Sequence, residues 1–161
     1  MPDKDILGIG EMQGNFAKLR DEVKNRTSRR MVVAAGNVLK RKAKQIAQAN
    51  GSVRTGAMVK NIAIKREAQA GGDTTQYHLG VRHGRNLTKK AKKNSKLAVA
   101  STGRIVKRYQ DDPYYWRFVE FRTVKAAPKP FLGPALEQGK AEAIEAMNDR
   151  LLTDLAKVGN T

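Results

Sequence analysis

The 161-residue sequence contains no cysteine, which excludes disulfide scaffolds, thiolate zinc sites and cysteine nucleophiles. No apolar run approaches the roughly 18–20 residues that a helix needs to cross a bilayer. The first ten residues lack a basic segment followed by an apolar core, so no secretory signal is predicted. These absences predict a chain that is made in the cytosol and has no contact with a membrane.

Acidic residues are scarce and unevenly placed, with 15 Asp and Glu against 32 Lys and Arg and a formal net charge of +17. Residues 74–110 hold ten basic side chains and no carboxylate, whereas residues 111–161 are close to neutral. Apolar residues make up 40% of the chain, which still allows a modest core. The length predicts a single domain spanning 1–161, with the basic segment 82–108 as a loop inserted in it.

Few residues have the chemistry of a catalytic or metal site. His78 and His83 are the only histidines, and without cysteine they make a weak case for a metal. The stretch 133–140 has the wrong spacing for a phosphate-binding loop and lacks the hydroxyl residue after its lysine. Adjacent Asp111 and Asp112 are interpreted as the start of a helix rather than as a catalytic pair. We therefore expect no enzyme activity, no catalytic residue, no cofactor and no metal.

Hydrophobic periodicity predicts helices towards both ends of the chain. Residues 11–24 and 27–49 have apolar positions at helical spacing, and the two stretches could form one long helix. Asn50-Gly51 is a natural stop, because both residue types tolerate positive φ. The last helix is predicted to open at Pro134 and to end near Val158. Its apolar stripe is expected to contain Leu136, Ile144, Met147, Leu151 and Leu155.

The middle of the chain predicts strands and one long loop. Residues 61–66 and 75–81 alternate as an antiparallel hairpin, joined by a turn at 70–73. Residues 82–101 are basic with little periodicity and are interpreted as a long exposed loop. The stretches 97–99 and 104–109 are candidates for a further strand.

Two motifs in the C-terminal third are the most informative. The aromatic segment 114–121 continues as Val119-Glu120-Phe121-Arg122-Thr123, and 130–136 reads Pro-Phe-Leu-Gly-Pro-Ala-Leu. With the Thr-Gly pair at 55–56 after the N-terminal helix, this order resembles a family of tail-completion or neck proteins of long-tailed bacteriophages. That family's signature is Val-Glu-Phe-Gly-Thr followed by Pro-Phe-Leu-x-Pro-Ala-Leu. The second motif matches at every defined position, and the first differs at Arg122, where the family usually has glycine.

The resemblance implies an α+β fold, in which a long N-terminal helix and a C-terminal helix pack a small antiparallel sheet. It also implies a structural virion protein of the phage neck, assembled in the host cytoplasm. Such a protein forms a homo-oligomeric ring, taken as six-fold, that completes the tail and joins it to the head. The ring leaves a channel for DNA and contacts neck, tail-terminator or tail-tube proteins. The basic composition leaves open an alternative, a small nucleic-acid-binding protein.

The motif residues are expected to serve packing or a subunit seam. The core is the default for the aromatic rings, and Phe131 is expected to anchor the last helix. Glu120 lies between two apolar residues and needs a partner, either backbone N–H groups or an arginine such as Arg117, Arg122 or one from another subunit. The full set is Thr55, Gly56, Trp116, Phe118, Glu120, Phe121, Thr123, Pro130, Phe131, Leu132, Pro134 and Leu136.

The basic segment has three competing interpretations: a solvated loop, a lining of the channel that touches DNA, or a docking element for an acidic protein surface. Ten cations without a carboxylate repel one another, which favours an anionic partner over plain solvent. A channel that must release DNA is poorly served by many phosphate contacts, so the protein partner is slightly preferred. The ten residues are Arg82, Arg85, Lys89, Lys90, Lys92, Lys93, Lys96, Arg104, Lys107 and Arg108.

Overall fold

The computed structural model describes residues 9–51, 55–67, 74–121, 123 and 127–159. Its first feature is an uninterrupted helical stretch, formed by α1 (Ile9–Glu22), a π-helical turn (Val23–Thr27) and α2 (Ser28–Ala49). The two predicted helices are therefore joined end to end. α2 stops where the sequence predicts, since Gly51 takes a φ of +64° and donates its N–H to the Gln48 carbonyl at 3.1 Å.

The Thr-Gly pair opens a short helix that the sequence did not predict. Gly56 has a φ of +71° and precedes α3 (Ala57–Asn61), which buries Ala57, Met58 and Val59. Five residues are too few to show a helical period, so the pattern carried no signal for α3.

The predicted hairpin follows α3 and consists of β1 (Ile62–Arg66) and β2 (Tyr77–Val81). The strands are antiparallel, with Ile62 opposite Val81 and Ile64 opposite Leu79, so one face carries the apolar side chains. The predicted turn at 70–73 lies outside the described residues. β1 lies close to α2, because a Cβ added at Gly36 would come within 3.0 Å of the Ile64 Cγ2 atom.

The basic segment contains helices and strands. The strand candidates at 97–99 and 104–109 are confirmed, whereas the interpretation of 82–101 as a long loop is wrong. The segment contains a 3₁₀ turn (Gly84–Asn86), α4 (Lys89–Lys93), β3 (Ser95–Val99) and β4 (Ile105–Tyr109). β3 and β4 form a second antiparallel pair, which is separate from β1 and β2. The Thr88 hydroxyl caps α4 by accepting the Ala91 N–H at 3.3 Å. Lysine side chains reach solvent from helices and strands alike, so a high lysine content did not require a loop.

Two helices complete the chain, α5 (Trp116–Glu120) and α6 (Leu132–Gly159), and α6 packs along α2. The predicted stripe of α6 is mostly wrong: Leu136, Ile144 and Leu155 are exposed. Small residues face α2 instead, namely Ala135, Gly139 and Ala143. They allow a close approach, since a Cβ added at Gly139 would lie 2.9 Å from the Leu39 Cδ2 atom.

A buried carboxylate ties the far end of α6 to α2. Asp154 is almost fully buried, and its oxygens lie 3.3 Å from Arg30 Nη1 and 3.1 Å from Arg150 Nη2. Removing either arginine would leave a buried charge with less compensation. The ion pair between Asp154 of α6 and Arg30 of α2 therefore fixes the register of the two helices.

The core lies where α2, α3, the first hairpin and the start of α6 meet. Its centre contains Met58, Ile62, Phe131 and Ala135, and a smaller cluster around Val38 continues between α2 and α6. The predicted apolar face of α1 has no such cover, because Met12 and Phe16 remain exposed among the described residues.

The close contact at Gly139 predicts that a substitution which raises helix propensity will nevertheless lower the free energy of unfolding. Leucine is a better helix former than glycine, so a free helix would be stabilised by Gly139→Leu. We expect this variant instead to lower the free energy of unfolding by about 1–3 kcal/mol, because the added side chain overpacks the α2–α6 contact. Urea denaturation measures the change. Ala141→Leu, on the exposed side of α6, is the matched control and is expected to stay within about 0.5 kcal/mol of the parent. Equal values for the two variants would contradict the prediction.

Candidate functional site

The carboxylate of Glu120 caps the last helix. Its oxygens accept the N–H groups of Phe131 at 2.9 Å, Leu132 at 3.1 and 3.2 Å, and Gly133 at 3.2 Å. These groups open α6 and have no partner within the helix. A negative charge at a helix N-terminus is also favoured by the helix dipole. Of the two expected kinds of partner, the backbone N–H groups are the ones that the structure shows.

Arginine is not the intrachain partner of Glu120 in the described residues. The Arg117 guanidinium lies instead over the Trp116 ring, 5.6 Å from its centroid. The expectation of Arg117 is therefore wrong, and the side chain of Arg122 falls outside the described residues.

The two sequence motifs are joined by further hydrogen bonds around this cap. The Lys129 N–H donates to the Val119 carbonyl at 2.8 Å, and the Asn50 side-chain amide donates to the Pro130 carbonyl at 3.0 Å. Pro134 lies in the first turn of α6, where a missing N–H costs nothing. Between these bonds the Phe131 ring is fully buried in the main core, as expected for an anchor.

The aromatic segment is divided between the core and the surface. Tyr115 and Trp116 pack against the main core. Tyr114, Phe118 and Phe121 are exposed, with 57% and 63% of the two phenylalanines accessible. The default assignment to the core is therefore wrong for these three rings. Together with exposed Leu136, they leave apolar surface on the described part of the chain.

Asp112 stabilises a turn and does not start the helix that the sequence predicts there. Its Oδ1 atom accepts the Gly84 N–H at 3.0 Å, so it ties the 3₁₀ turn to the segment after β4. α5 begins only at Trp116, and no side chain caps it. The helix-start interpretation of Asp111 and Asp112 is wrong because the backbone makes a turn before α5.

The second pair of strands forms what we call the basic hairpin, residues 95–109. Gly103, with a φ of +76°, closes its turn by donating its N–H to the Ala100 carbonyl at 2.9 Å. One face places Lys96 opposite Arg108, and like charges in this position repel. The alternation of strands puts three apolar side chains on the other face, Leu97, Val99 and Ile105, all of which are exposed.

The cations of segment 82–108 lie at the surface. Nine of the ten basic side chains are exposed, and Lys92 is partly buried. Within the described part of the chain none of them has a carboxylate partner. The repulsion expected from the sequence is therefore uncompensated in the isolated chain.

Metal-ligand residues do not converge in the described ranges, where no group of three or more His, Cys, Asp or Glu could hold an ion. His78 lies 2.9 Å from Glu67, and the His83 ring lies 6.4 Å from the Trp116 ring. As to membranes, none of the described helices combines the length and the apolarity that a bilayer span requires.

Comparison with known proteins identifies a family that the chain matches. Residues 10–121 match the model of the HK97-gp10-like family, described as a tail component of bacteriophage HK97. This range runs from α1 to the end of the aromatic segment and includes the basic hairpin. No curated protein and no solved structure matches the chain.

The cap predicts that Glu120 stabilises the fold through its charge and geometry. Glu120→Gln keeps the size but loses an acceptor and the negative charge, so we expect a loss of about 1–3 kcal/mol in the free energy of unfolding. Glu137→Gln removes an exposed carboxylate from α6, the helix that Glu120 caps, and serves as the control. Its expected change is within about 0.5 kcal/mol. Chemical denaturation of both variants at neutral pH tests this, and a Glu120→Gln value as small as the control's would refute the cap.

The two kinds of aromatic position predict opposite mutational effects. Phe131→Ala is expected to cost about 3–5 kcal/mol, because it opens a cavity in the main core. Phe118→Ala removes the same ring from the surface and is expected to change the melting temperature only slightly. Thermal unfolding of both proteins distinguishes them. An unchanged melting temperature for Phe131→Ala would show that its ring is not an anchor.

Proposed function

We propose that this chain, which belongs to the HK97-gp10-like family of bacteriophage tail components, is a structural protein of the virion neck. It forms a homo-oligomeric ring that completes the tail, joins it to the head and leaves a channel for DNA. Six copies per ring are the expected number. Its neighbours are neck, tail-terminator or tail-tube proteins, and it has no catalytic activity.

The observation that carries this proposal is the amount of apolar surface exposed on a folded unit. Phe118, Phe121 and Leu136 are exposed near the Glu120 cap, and the tip of the basic hairpin exposes further aliphatic side chains. Isolated exposed apolar residues are normal, but several such sites on one small chain indicate contacts with other proteins. A structural role in an assembly accounts for this surface without any reaction chemistry.

Nucleic-acid binding remains the second candidate, because the net charge of +17 and the exposed cations of segment 82–108 favour it. Stacking platforms are missing from that part of the surface, since Tyr109 is the first aromatic residue after His83. This candidate predicts tight, salt-dependent binding to DNA by a monomer or dimer, and normal virions in its absence.

A phage with a nonsense codon in this gene tests the proposal. In a non-suppressing host we expect DNA-filled heads and complete tails that stay separate, and we expect added purified chain to restore infectious particles. Mass spectrometry of purified virions should detect the chain in a fixed number of copies. Joined, infectious virions that lack the chain would overturn the proposal and support the DNA-binding candidate.

The lysines of α4 predict a specific defect in assembly. Replacing Lys89, Lys90, Lys92 and Lys93 by Gln is expected to reduce head–tail joining, because α4 then offers four fewer cations to an anionic docking partner. The melting temperature should hardly change, because none of these lysines has an ion-pair partner in the described residues. Joining is counted by electron microscopy and by infectious titre. Normal joining by the variant would show that these four lysines are only solvated.

A further inference from the structure

We infer that the basic hairpin of one copy docks on the outer face of α6 in a second copy of the same chain. The outer α6 face is defined here as Glu137, Ile144, Glu145, Asp149, Leu152 and Leu155. The inference rests on the proposed homo-oligomeric ring and names the surfaces that form its repeated contact.

The basic hairpin lacks support within its own chain. Among the described residues no helix or other strand packs extensively on β3 or β4. Its exposed apolar side chains are nearly as accessible as in an unfolded chain, with 72% of Leu97 and 73% of Ile105 exposed. A two-stranded hairpin alone is at best marginally stable in water. A second surface that covers the apolar face would supply the missing burial.

The outer α6 face carries charge opposite to that of the hairpin and, like the hairpin, exposes apolar side chains. Ile144, Leu152 and Leu155 recur at spacings of 8 and 3, which places them on one side of the helix, and all are exposed. Glu145 and Asp149 lie one helical turn apart beside them. The carboxylates of Glu137, Glu145 and Asp149 have no ion-pair partner in the described ranges.

The negative charge of α6 favours its outer face over the rest of the surface as the docking site for the basic hairpin. The whole chain carries +17, yet α6 contains five carboxylates and three cations, so it is net acidic. The buried Asp154 and the Glu142 paired to Arg41 at 2.6 Å are already compensated within the chain. The remaining three carboxylates border the apolar row of α6. Lys107 lies on the apolar face of the hairpin opposite Leu97, whereas Lys96 and Arg108 lie on its other face.

The apolar patch of the hairpin is shorter than the apolar row of α6. Leu97 and Val99 are two residues apart, or roughly 7 Å, and Ile105 lies opposite Val99. Ile144 and Leu152 are eight residues apart on α6, or roughly 12 Å. The patch can therefore cover part of the row, while Lys107 on the same face meets the carboxylates.

The two surfaces differ, so the contact is heterologous and each copy keeps one of each surface available. Heterologous contacts propagate from copy to copy and close into a ring when the rotation permits. A hairpin-to-α6 contact is therefore of the kind that a ring of identical subunits requires.

Charge exchange gives the first test, by sedimentation of purified full-length chains. Lys107→Glu in one variant, and Glu145→Lys with Asp149→Lys in another, are each expected to weaken self-association at least tenfold. An equimolar mixture is expected to regain the assembly of the parent, because every contact in an alternating ring again pairs opposite charges. Lys65→Glu, at an exposed position of β1, is the matched control for the hairpin variant and should leave self-association unchanged. If either exchanged variant assembles alone like the parent, or if the mixture is not restored, the inference is wrong.

The absence of native cysteine permits a second, positional test. Leu97→Cys and Ile144→Cys are made in separate chains of different tag length, which are mixed and treated with a short bis-maleimide. Docking predicts a heterodimeric product that a pair of Leu97→Cys with Phe16→Cys does not give. Products with the Phe16→Cys chain alone would place the hairpin on α1 and overturn the inference.

These results separate the inference from the proposed function. A chain that assembles into rings without the predicted cross-link refutes the docking surfaces and leaves the ring intact. A parent chain that stays monomeric at high concentration and gives no cross-link refutes the docking as well. Absence of the chain from virions refutes the neck role, whatever the cross-linking shows.

Discussion

The capping of α6 by Glu120 is the interaction that links the two sequence motifs and the start of α6 to the main core. A carboxylate between Val119 and Phe121 is costly to bury unless donors satisfy it, and the first N–H groups of α6 need acceptors. One contact meets both needs. The two motifs at 119–123 and 130–136 are thus two halves of a single cap, although they are separate in sequence. Phe131 lies directly at this cap, so the main core and the start of α6 are fixed together.

The packing of α6 on α2 determines which face of α6 stays exposed. Ala135, Gly139 and Ala143 bring the helix axes close, and of the larger apolar residues in the predicted stripe Met147 packs against the smaller cluster, while Ile144 and Leu155 stay exposed. Ile144 and Leu152 consequently face outwards beside unpaired carboxylates. An acidic, partly apolar face is therefore a direct consequence of a core built on small residues.

The sequence predicted features with a local cause and missed those that depend on neighbours. The stop of α2 and the first hairpin follow from glycine and strand alternation, and the structure confirms them. The anchor role of Phe131 stays a prediction from a specific motif, and its ring is buried in the main core. The stripe of α6 is wrong for Leu136, Ile144 and Leu155, because hydrophobicity alone ranks leucine above the alanines and glycine that allow close approach, although Met147 does pack against the smaller cluster. The strand candidates at 97–99 and 104–109 are confirmed, whereas α4 is not predicted, because five residues are too few to show a helical period. The donors to Glu120 were expected only as one of two alternatives, since they lie eleven or more residues away.

In the proposed docking, electrostatics allows a chain of such high charge to assemble with itself in one orientation. Copies carrying +17 repel each other in most encounters, which disfavours random contact. On the outer α6 face, carboxylates without an ion-pair partner in the described residues lie beside exposed aliphatic groups, so an approaching basic hairpin is attracted there and repelled by the basic surfaces around it. Complementary charge of this kind contributes more to the choice of partner and to the rate of encounter than to final affinity. Affinity then comes from the apolar side chains on both surfaces, which become buried only in that orientation. A high net charge thus makes a repeated contact specific, because it penalises every other contact between copies.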